Sequence, residues 1–228
     1  MKKFITMTVI FAVVLSLIFS ASVRAEEGIS KVEDSIDVLK DTVSIPEKGI
    51  PPVLLRNASG IAIIPGVIKA GFIIGGRYGS GILMVRKEDG KWSDPSFITL
   101  AGGSIGWQIG VEAIDIVLVF KNERSIKRIM GGKFTLGVDA SIAAGPVGRE
   151  AQAATDVQLK SEIYSYSRSR GLFAGLTLSG AALQIDDEAN EKFYKKKHIT
   201  AREIFADKDL KVPPVDELKK LLSEYSSK

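Results

Sequence analysis

Two tyrosines and two arginines alternate along the segment Glu162–Ile185, which reads EIYSYSRSRGLFAGLTLSGAALQI. Successive side chains of an extended strand point to opposite faces, so Tyr164, Tyr166, Arg168 and Arg170 are predicted to share one face. Arginine supplies a planar fork of donors, and tyrosine supplies an apolar body with a polar tip. Such a face is suited to an anionic headgroup, although an ordinary solvated sheet face has the same pattern.

Other basic residues lie in glycine-rich alternating segments and would join this face if the sheet curves. Glycine lets a backbone and a ligand approach closely, and 22 glycines against 8 prolines favour a sheet with bends and bulges over disorder. The candidate cations are Lys69, Arg77, Arg86, Arg149, Lys160, Arg168 and Arg170.

Catalytic and metal chemistry have few candidate residues. Gly102–Gly106 (GGSIG) fits the nucleophile pattern G-x-S-x-G, but that motif requires a helix directly after a sharp turn, and Ser104 precedes an alternating strand. The one histidine, His198, lies in a lysine cluster that disfavours an imidazolium. The chain has no cysteine, and no calcium-loop spacing occurs. The sequence therefore predicts no catalytic residue, no cofactor and no metal.

Nucleotide and nucleic acid are disfavoured as partners. The glycines between Gly71 and Gly81 fit neither phosphate-loop spacing, and no predicted helix follows them. The chain has 31 Lys and Arg against 27 Asp and Glu, and three of the cations (Lys2, Lys3 and Arg24) lie in residues 1–25, which contain no acid. The remainder is nearly neutral, so any basic surface must be local.

Residues 1–25 resemble a secretory signal peptide. Two lysines precede the apolar run Phe4–Ser20, and Val23-Arg24-Ala25 offers small residues at a cleavage site. We expect cleavage after Ala25 and an exported protein, periplasmic or secreted and peripheral on a membrane at most; an uncleaved anchor is the alternative. Residues 26–228 are predicted to form one domain with a core at about 35–205 and a C-terminal helical tail.

Helices are predicted at both ends of an alternating region. An amphipathic helix over 26–43 is expected to cover a sheet, with a membrane-surface helix as the alternative. Asp115 stands out in an apolar strand, where it is expected to pair with a base or to cap a turn. Strands are predicted at Gly60–Ile64, Lys69–Arg77, Gly81–Lys87, Trp92–Leu100, Gly103–Ile109, Ala113–Phe120 and Phe134–Ala144, and further helices at Asn122–Met130, Asp186–Lys196, Ala201–Phe205 and Val215–Tyr225.

Three runs resemble the lipid-binding SYLF domain family, in that family's order. They are Ala58–Lys87, Gly102–Phe120 and the YSYSRSRGLFAGLTLSGAAL run that begins at Tyr164. The resemblance implies an α+β fold, with a curved, mostly antiparallel, glycine-rich sheet, half-barrel-like, flanked by N- and C-terminal helices. It also implies phospholipid binding, with phosphoinositides as ligands of eukaryotic members and actin as a partner of some yeast members; an exported chain would meet neither.

The resemblance selects candidate headgroup contacts. Lys69, Arg168 and Arg170 stand at basic positions within the matching runs, and Tyr164 and Tyr166 accompany them. We expect a non-catalytic module that binds phospholipid headgroups or a membrane surface. The alternative is a structural or interaction protein of the cell envelope that holds a protein partner and has no lipid affinity.

Overall fold

The computed structural model of the chain describes residues 26–44, 49–147, 160–169, 172–173, 178–206 and 210–227. The predicted signal peptide and the predicted extended segment 151–160, apart from its last residue, lie outside these ranges.

The described strands are β1 (Gly60–Val85), β2 (Ser96–Phe120), β3 (Phe134–Thr135), β4 (Ile142–Ala144), β5 (Ile163–Ser169), β6 (Leu172–Phe173) and β7 (Ala182–Ile185). The described helices are α1 (26–44), α2 (Pro52–Arg56), α3 (Glu123–Met130), α4 (Asp187–Tyr194), α5 (Ala201–Ala206) and α6 (Pro213–Ser227).

Two very long strands form the centre of the sheet. β1 has 26 residues and β2 has 25, and they pair antiparallel from Gly60 opposite Phe120 to Leu83 opposite Ser96. The turn between them closes where the Gly90 N–H donates to the Lys87 carbonyl oxygen at 2.9 Å. The turn thus lies between the predicted strands Gly81–Lys87 and Trp92–Leu100.

The prediction of several separate strands in this region was wrong. Pro65-Gly66 does not end a strand; the pairing shifts register between Ile64 and Val67 and then continues. Gly66 has a φ of 59°, which glycine adopts without strain, so the turn signal is absorbed as a bulge. Tyr78-Gly79-Ser80 likewise remains paired to β2. A glycine in a strand therefore marked a bend here, not an end.

β1 bends so far that its two ends meet, and glycines permit the contact. A Cβ atom at Gly81 would lie 2.2 Å from the Ile63 carbonyl oxygen, and one at Gly60 would lie 3.0 Å from the Met84 carbonyl oxygen. No side chain fits at such distances. β5 and β7 pair antiparallel with β2 of this curled ribbon. β3 then pairs antiparallel with β7 and β6 with β5, and β4 is parallel to β5. The predicted α+β fold with a curved, mostly antiparallel, half-barrel-like sheet is confirmed.

Helices cover both faces of the sheet. On the first, here called the α1 face, Val117 and Val119 are buried with residues of α1, α2 and α6. On the opposite face, here called the α3 face, Ile116 and Leu118 are buried with residues of α3 and α5. Alternation along β2 thus supplies both cores. Each fully buried aliphatic side chain contributes about 2 kcal/mol to folding by its removal from water.

The N-terminal helix covers the sheet, as predicted. Val32, Ile36 and Leu39 of α1 are buried within the α1-face core. The Lys40 Nζ atom lies 2.8 Å from a Glu217 carboxylate oxygen, which joins α1 to α6. α1 is therefore a structural part of the folded sheet and lies against it along its apolar stripe.

A buried ion pair and a half-buried arginine hold α6 on the hairpin. The Lys219 Nζ atom lies 2.6 Å from Asp94 Oδ1, with 15% and 3% of the side chains exposed. Arg86 donates to the Leu55 carbonyl oxygen at 3.0 Å and to Ser226 Oγ at 2.9 Å, and it stacks over the Trp92 ring. Burial lowers the pKa of Arg86. The Arg86 guanidinium therefore stabilises the packing of α6 against the hairpin.

Candidate functional site

The predicted tyrosine–arginine face is not an exposed face. Tyr164 and Tyr166 are each only 4% exposed and belong to the α1-face core. The Tyr166 hydroxyl donates to the Pro146 carbonyl oxygen at 3.2 Å, and the Tyr164 hydroxyl accepts from the Ser161 N–H at 3.1 Å. Burial raises the pKa of Tyr166 well above its usual range. The expectation of an exposed face was wrong because α1 and the chain around Gly145 cover it.

Arg168 is the described cation of that face, and carboxylates surround it. It forms an ion pair with Asp41 of α1 and lies opposite Asp115 in the β2–β5 pairing. Its side chain is 30% exposed. Arg170 lies outside the described residues. Headgroup contact at Arg168 stays a prediction, but the neighbouring acids oppose an anionic ligand there.

Lys69 lies on the other side of the sheet from Arg168. Its partner across the β1–β2 pair is Glu112, and alternation puts both on the face of Ile114, which belongs to the α3-face core. Arg168 shares the opposite face with Tyr166. The structure therefore does not bring these two candidate cations together, because their positions alternate onto opposite faces of the sheet.

Asp115 stabilises the β1 bulge. Its Oδ1 atom accepts a hydrogen bond from the Gly66 N–H at 2.9 Å. The prediction that this carboxylate caps a turn is thereby confirmed in a modified form, since the turn is a bulge inside a strand.

An acidic groove lies beside that bulge on the α1 face. Asp34, Asp37 and Asp41 follow each other at helical spacing on α1, and they line a cavity of about 430 Å³ together with Asp115 and Lys31. Four carboxylates thus oppose one lysine in the lining. Within the described part of the chain, Asp37 forms no ion pair.

Next to the acidic groove the sheet exposes aliphatic side chains. Ile68 is 53% exposed and Val111 is 71% exposed. Ile68 pairs with Ala113 and Ala70 pairs with Val111, so the four side chains share one face, the face that Asp115 also occupies. Sequence reasoning missed this surface. The signal was the alternation of small apolar residues at 68/70 and 111/113 around Lys69 and Glu112.

A second groove, here called the α3–α5 groove, lies on the α3 face. Its volume is about 500 Å³, and it runs between α3, α5 and the hairpin turn. Its floor is apolar, from Val85, Ile126, Met130, Phe205 and Ala206, and its rim is charged, from Lys87, Glu88, Asp89, Glu123, Lys127 and Arg202. These residues come from three distant segments, so no local spacing in the sequence reveals the groove.

Local capping positions the two helices of this groove. Asn122 caps α3 by accepting from the Ser125 N–H at 3.2 Å. At α5 the Thr200 Oγ1 atom accepts from the Glu203 N–H at 3.2 Å, and Glu203 accepts from the Thr200 N–H at 2.9 Å. This is a capping box. The helices predicted from the sequence at Asn122–Met130 and Ala201–Phe205 are thereby confirmed, with Asn122 as the N-cap of the first.

Two cations on the rim, Lys87 and Arg202, lack an ion-pair partner among the described residues, although the Lys87 charge interacts with the Asp89 carboxylate. The Lys127 Nζ atom is 2.7 Å from Glu123, and Lys91 lies 3.6 Å from Asp89. Lys87 and Arg202 form no ion pair with any residue that the structure describes. The groove therefore offers an apolar floor beside two cationic groups.

The hydrolase hypothesis finds no suitable geometry. Ser104 lies inside β2, paired opposite Gly75, and not at a junction of a strand with a helix. The His198 side chain is 92% exposed, and its Nδ1 atom lies 3.5 Å from Glu191. Among the described residues, no three acidic or histidine side chains converge as a metal site. The described helices also lack the combination of length and apolar character that crossing a membrane requires.

Comparison with known proteins identifies the family. Residues 101–225 match the family Ysc84, described as Las17-binding protein actin regulator. SH3 domain-containing YSC84-like protein 1 of Xenopus laevis is 37% identical over 205 residues, which are 87% of this chain and 61% of that protein. Protein YSC84 of Saccharomyces cerevisiae is 43% identical over 168 residues, which are 72% of this chain and 35% of that protein.

A third relative extends the comparison. The LAS seventeen-binding protein 3 of Saccharomyces cerevisiae (strain YJM789) is 40% identical over 176 residues, 76% of this chain and 38% of that protein. This chain thus covers less than two thirds of each of these relatives. The resemblance inferred from the three sequence runs is confirmed: the chain belongs to the Ysc84 (SYLF) family.

Proposed function

We propose that this chain is a non-catalytic module that binds phospholipid at an anionic membrane surface. The observation that carries the proposal is the α3–α5 groove, in which Lys87 and Arg202 flank an apolar floor. A phospholipid has the complementary chemistry, since its phosphate is an anion and its acyl chains are apolar.

The dimensions of the groove support a lipid-sized ligand. Its volume of about 500 Å³ falls within the roughly 300–1,000 Å³ that small-molecule sites occupy. Val85 and Met130 are partly buried on its floor and offer methyl and methylene groups to an acyl chain. Arg202 offers a planar pair of donors to phosphate oxygens.

The charge arrangement supports the α3 face over the α1 face. An anionic membrane is attracted to cations that lack ion-pair partners, at about 1 kcal/mol for each Lys or Arg near the surface. The α1 face presents Asp34, Asp37 and Asp41 instead. Anionic lipid would be repelled there.

The proposed function is that of a binding protein which is exported and does not catalyse a reaction. The exposed His198 and the position of Ser104 within β2 favour a binding role over a hydrolase. The interpretation of residues 1–25 as a signal peptide leads us to propose that residues 26–228 act as one domain in the cell envelope, periplasmic or secreted.

Liposome co-sedimentation of the full chain tests the proposal. We expect binding to phosphatidylglycerol vesicles, weaker binding to phosphatidylcholine vesicles, and loss of binding at raised salt. The double substitution Lys87→Glu with Arg202→Glu should weaken binding to anionic vesicles by about tenfold or more, because it reverses two charges. The control is Lys220→Glu on α6, whose side chain is 76% exposed. Unchanged binding by the double variant would contradict the site.

The same assay examines the predicted headgroup residue Arg168. If the α3–α5 groove is the lipid site, Arg168→Glu should bind anionic vesicles nearly as well as the wild type. A loss confined to Arg168→Glu would instead favour the headgroup site predicted from the sequence.

A further inference from the structure

The exposed aliphatic side chains of the α1 face form a continuous surface with the acidic groove. Ile68, Ala70, Val111 and Ala113 share a face of the β1–β2 ribbon. Asp115 lies two residues beyond Ala113 on that face, and Gly66, which lines the acidic groove, lies two residues before Ile68. Aliphatic and acidic surfaces therefore meet without a break.

The exposed side chains are unusual for a rigid sheet. Val111 is 71% exposed and Ile68 is 53% exposed, whereas most valines and isoleucines of β1 and β2 whose burial the structure describes are buried. Across an antiparallel pair, diagonal neighbours on one face lie within reach of each other. The alanines between them keep the surface flat, so an apolar side chain of a partner can approach both. Clustered exposed aliphatic groups mark an interaction site more often than scattered ones do.

The charges beside this surface decide what it can bind. Asp34, Asp37 and Asp41 form a row on α1, with Lys31 and Arg168 as the neighbouring cations. Lys31 lies 4.0 Å from Asp34, and Arg168 pairs with Asp41, while Asp37 has no ion pair within the described ranges. The row therefore remains net negative. It repels an anionic membrane and attracts a cation.

We propose that this surface binds a cationic amphipathic segment of a protein partner. The apolar side of such a helix would cover Ile68 and Val111, and its lysines or arginines would face Asp34 and Asp37. This is the helix-in-groove mode of peptide recognition, with electrostatic complementarity setting orientation. The inference concerns a different face from the lipid groove and does not depend on it.

The first test uses two synthetic helical peptides with the same apolar face. One is made of leucine and lysine, and the other of leucine and glutamate. Fluorescence anisotropy with the full chain should show binding of the leucine–lysine peptide, weakened by raised salt, and at least about tenfold weaker binding of the leucine–glutamate peptide. Equal binding of the two peptides would overturn the proposal, because charge would then not matter.

Substitutions on the two faces locate the site. Ile68→Ser with Val111→Ser, and separately Asp34→Asn with Asp37→Asn, should each weaken binding of the leucine–lysine peptide by about tenfold. The matched control, Glu88→Gln with Asp89→Asn, removes two carboxylates from the other face and should leave binding unchanged. Thermal melts of each variant exclude unfolding as the cause.

Two further outcomes would overturn the proposal. Unchanged peptide binding in both α1-face variants would remove this surface from the interaction. Concentration-dependent dimerisation of the chain in sedimentation velocity, abolished by Ile68→Ser with Val111→Ser, would assign the surface to a second copy of the chain.

Discussion

The two grooves of this protein lie on opposite faces of one sheet and differ in charge. In the α3–α5 groove the acids Glu123 and Asp89 have lysine partners, and Lys87 and Arg202 remain unpaired among the described residues. In the acidic groove the row on α1 outnumbers its cations. A sheet whose side chains alternate can therefore present one surface suited to anionic lipid and another suited to a cationic peptide.

Basic residues that stand in the family-matching runs do not all contribute to one binding surface. Lys69 and Arg168 both stand in family-matching runs, yet they lie on opposite faces of the sheet. The Arg86 guanidinium already donates hydrogen bonds to backbone carbonyl oxygens and to Ser226. A bound anion interacts with the net charge that remains after neighbouring side chains have formed ion pairs and hydrogen bonds.

Loss of the curled ribbon should have the largest effect, because both surfaces depend on it. Gly81→Ala puts a Cβ atom 2.2 Å from the Ile63 carbonyl oxygen, and backbone on both sides cannot yield easily. We expect the free energy of unfolding to fall by about 4 kcal/mol or more. Urea unfolding followed by circular dichroism measures it.

Gly103→Ala is the matched control for Gly81→Ala. A Cβ atom at Gly103 meets nothing within 4 Å. Its free energy of unfolding should change by less than about 0.5 kcal/mol. Similar losses in both variants would mean that β1 does not fold back as described.

Removal of the buried ion pair between Lys219 and Asp94 should destabilise the packing of α6 on the α1 face. Lys219→Met leaves the Asp94 carboxylate, which is 3% exposed, without its lysine. We expect a loss of about 3 kcal/mol in the free energy of unfolding. Lys220→Met, on the exposed side of α6, is the control and should cost under about 0.5 kcal/mol. Equal effects of the two would contradict the buried contact.

Each face holds a tyrosine whose pKa is raised, buried Tyr166 on one and partly buried Tyr194 on the other, and alkaline pH should destabilise the packing of both. Burial raises the pKa of Tyr166 in the α1-face core and of Tyr194, which packs against the α3-face core. The folded-state pKa values thus exceed the unfolded value of about 10. The contribution of these two tyrosines to the free energy of unfolding is then constant below about pH 10 and falls as pH rises above it, because the unfolded chain releases these protons first.

Substitution by phenylalanine should reduce that alkaline loss. Tyr166→Phe removes the hydrogen bond to the Pro146 carbonyl oxygen and should cost about 1 kcal/mol at neutral pH. Urea unfolding at neutral and alkaline pH, with Tyr194→Phe as the companion on the other face, separates the two contributions. A wild-type pH profile in both variants would show that these hydroxyls do not titrate with unfolding.

The smallest effect is expected at the surface pair of Arg168 and Asp41. Both side chains are partly exposed, so water and salt screen their attraction. A double-mutant cycle of Arg168→Gln and Asp41→Asn should give a coupling energy of about 0.5 kcal/mol. A coupling several times larger would make this pair a principal anchor of α1.

The helices were predictable from the sequence because their caps and apolar spacing are local. Asn122 and Thr200 begin α3 and α5 as their side chains indicate. The α1 stripe likewise foretold that α1 covers a sheet. The continuous β1 was not predictable, because Gly66 signals a turn in isolation and a bulge when Asp115 of the next strand accepts its N–H.

The candidate surfaces could not be predicted from single strands, because contacts between distant segments form them. The alternation of Tyr164 and Tyr166 correctly placed them on one face, but the helix that buries them is more than a hundred residues away. The α3–α5 groove joins Lys87 to Arg202 across a similar separation. The family resemblance supplied the fold, and contacts between distant segments decided which residues remain accessible.

The most direct test of the central claim maps lipid contact onto the two faces. Amide NMR spectra of the full chain would be recorded while phosphatidylglycerol nanodiscs are added. If lipid binds in the α3–α5 groove, shifts and broadening will concentrate on Lys87, Arg202 and α3, with Ile68, Val111 and α1 unaffected. Changes concentrated on Ile68, Val111 and Arg168, with the α3–α5 groove silent, would contradict it.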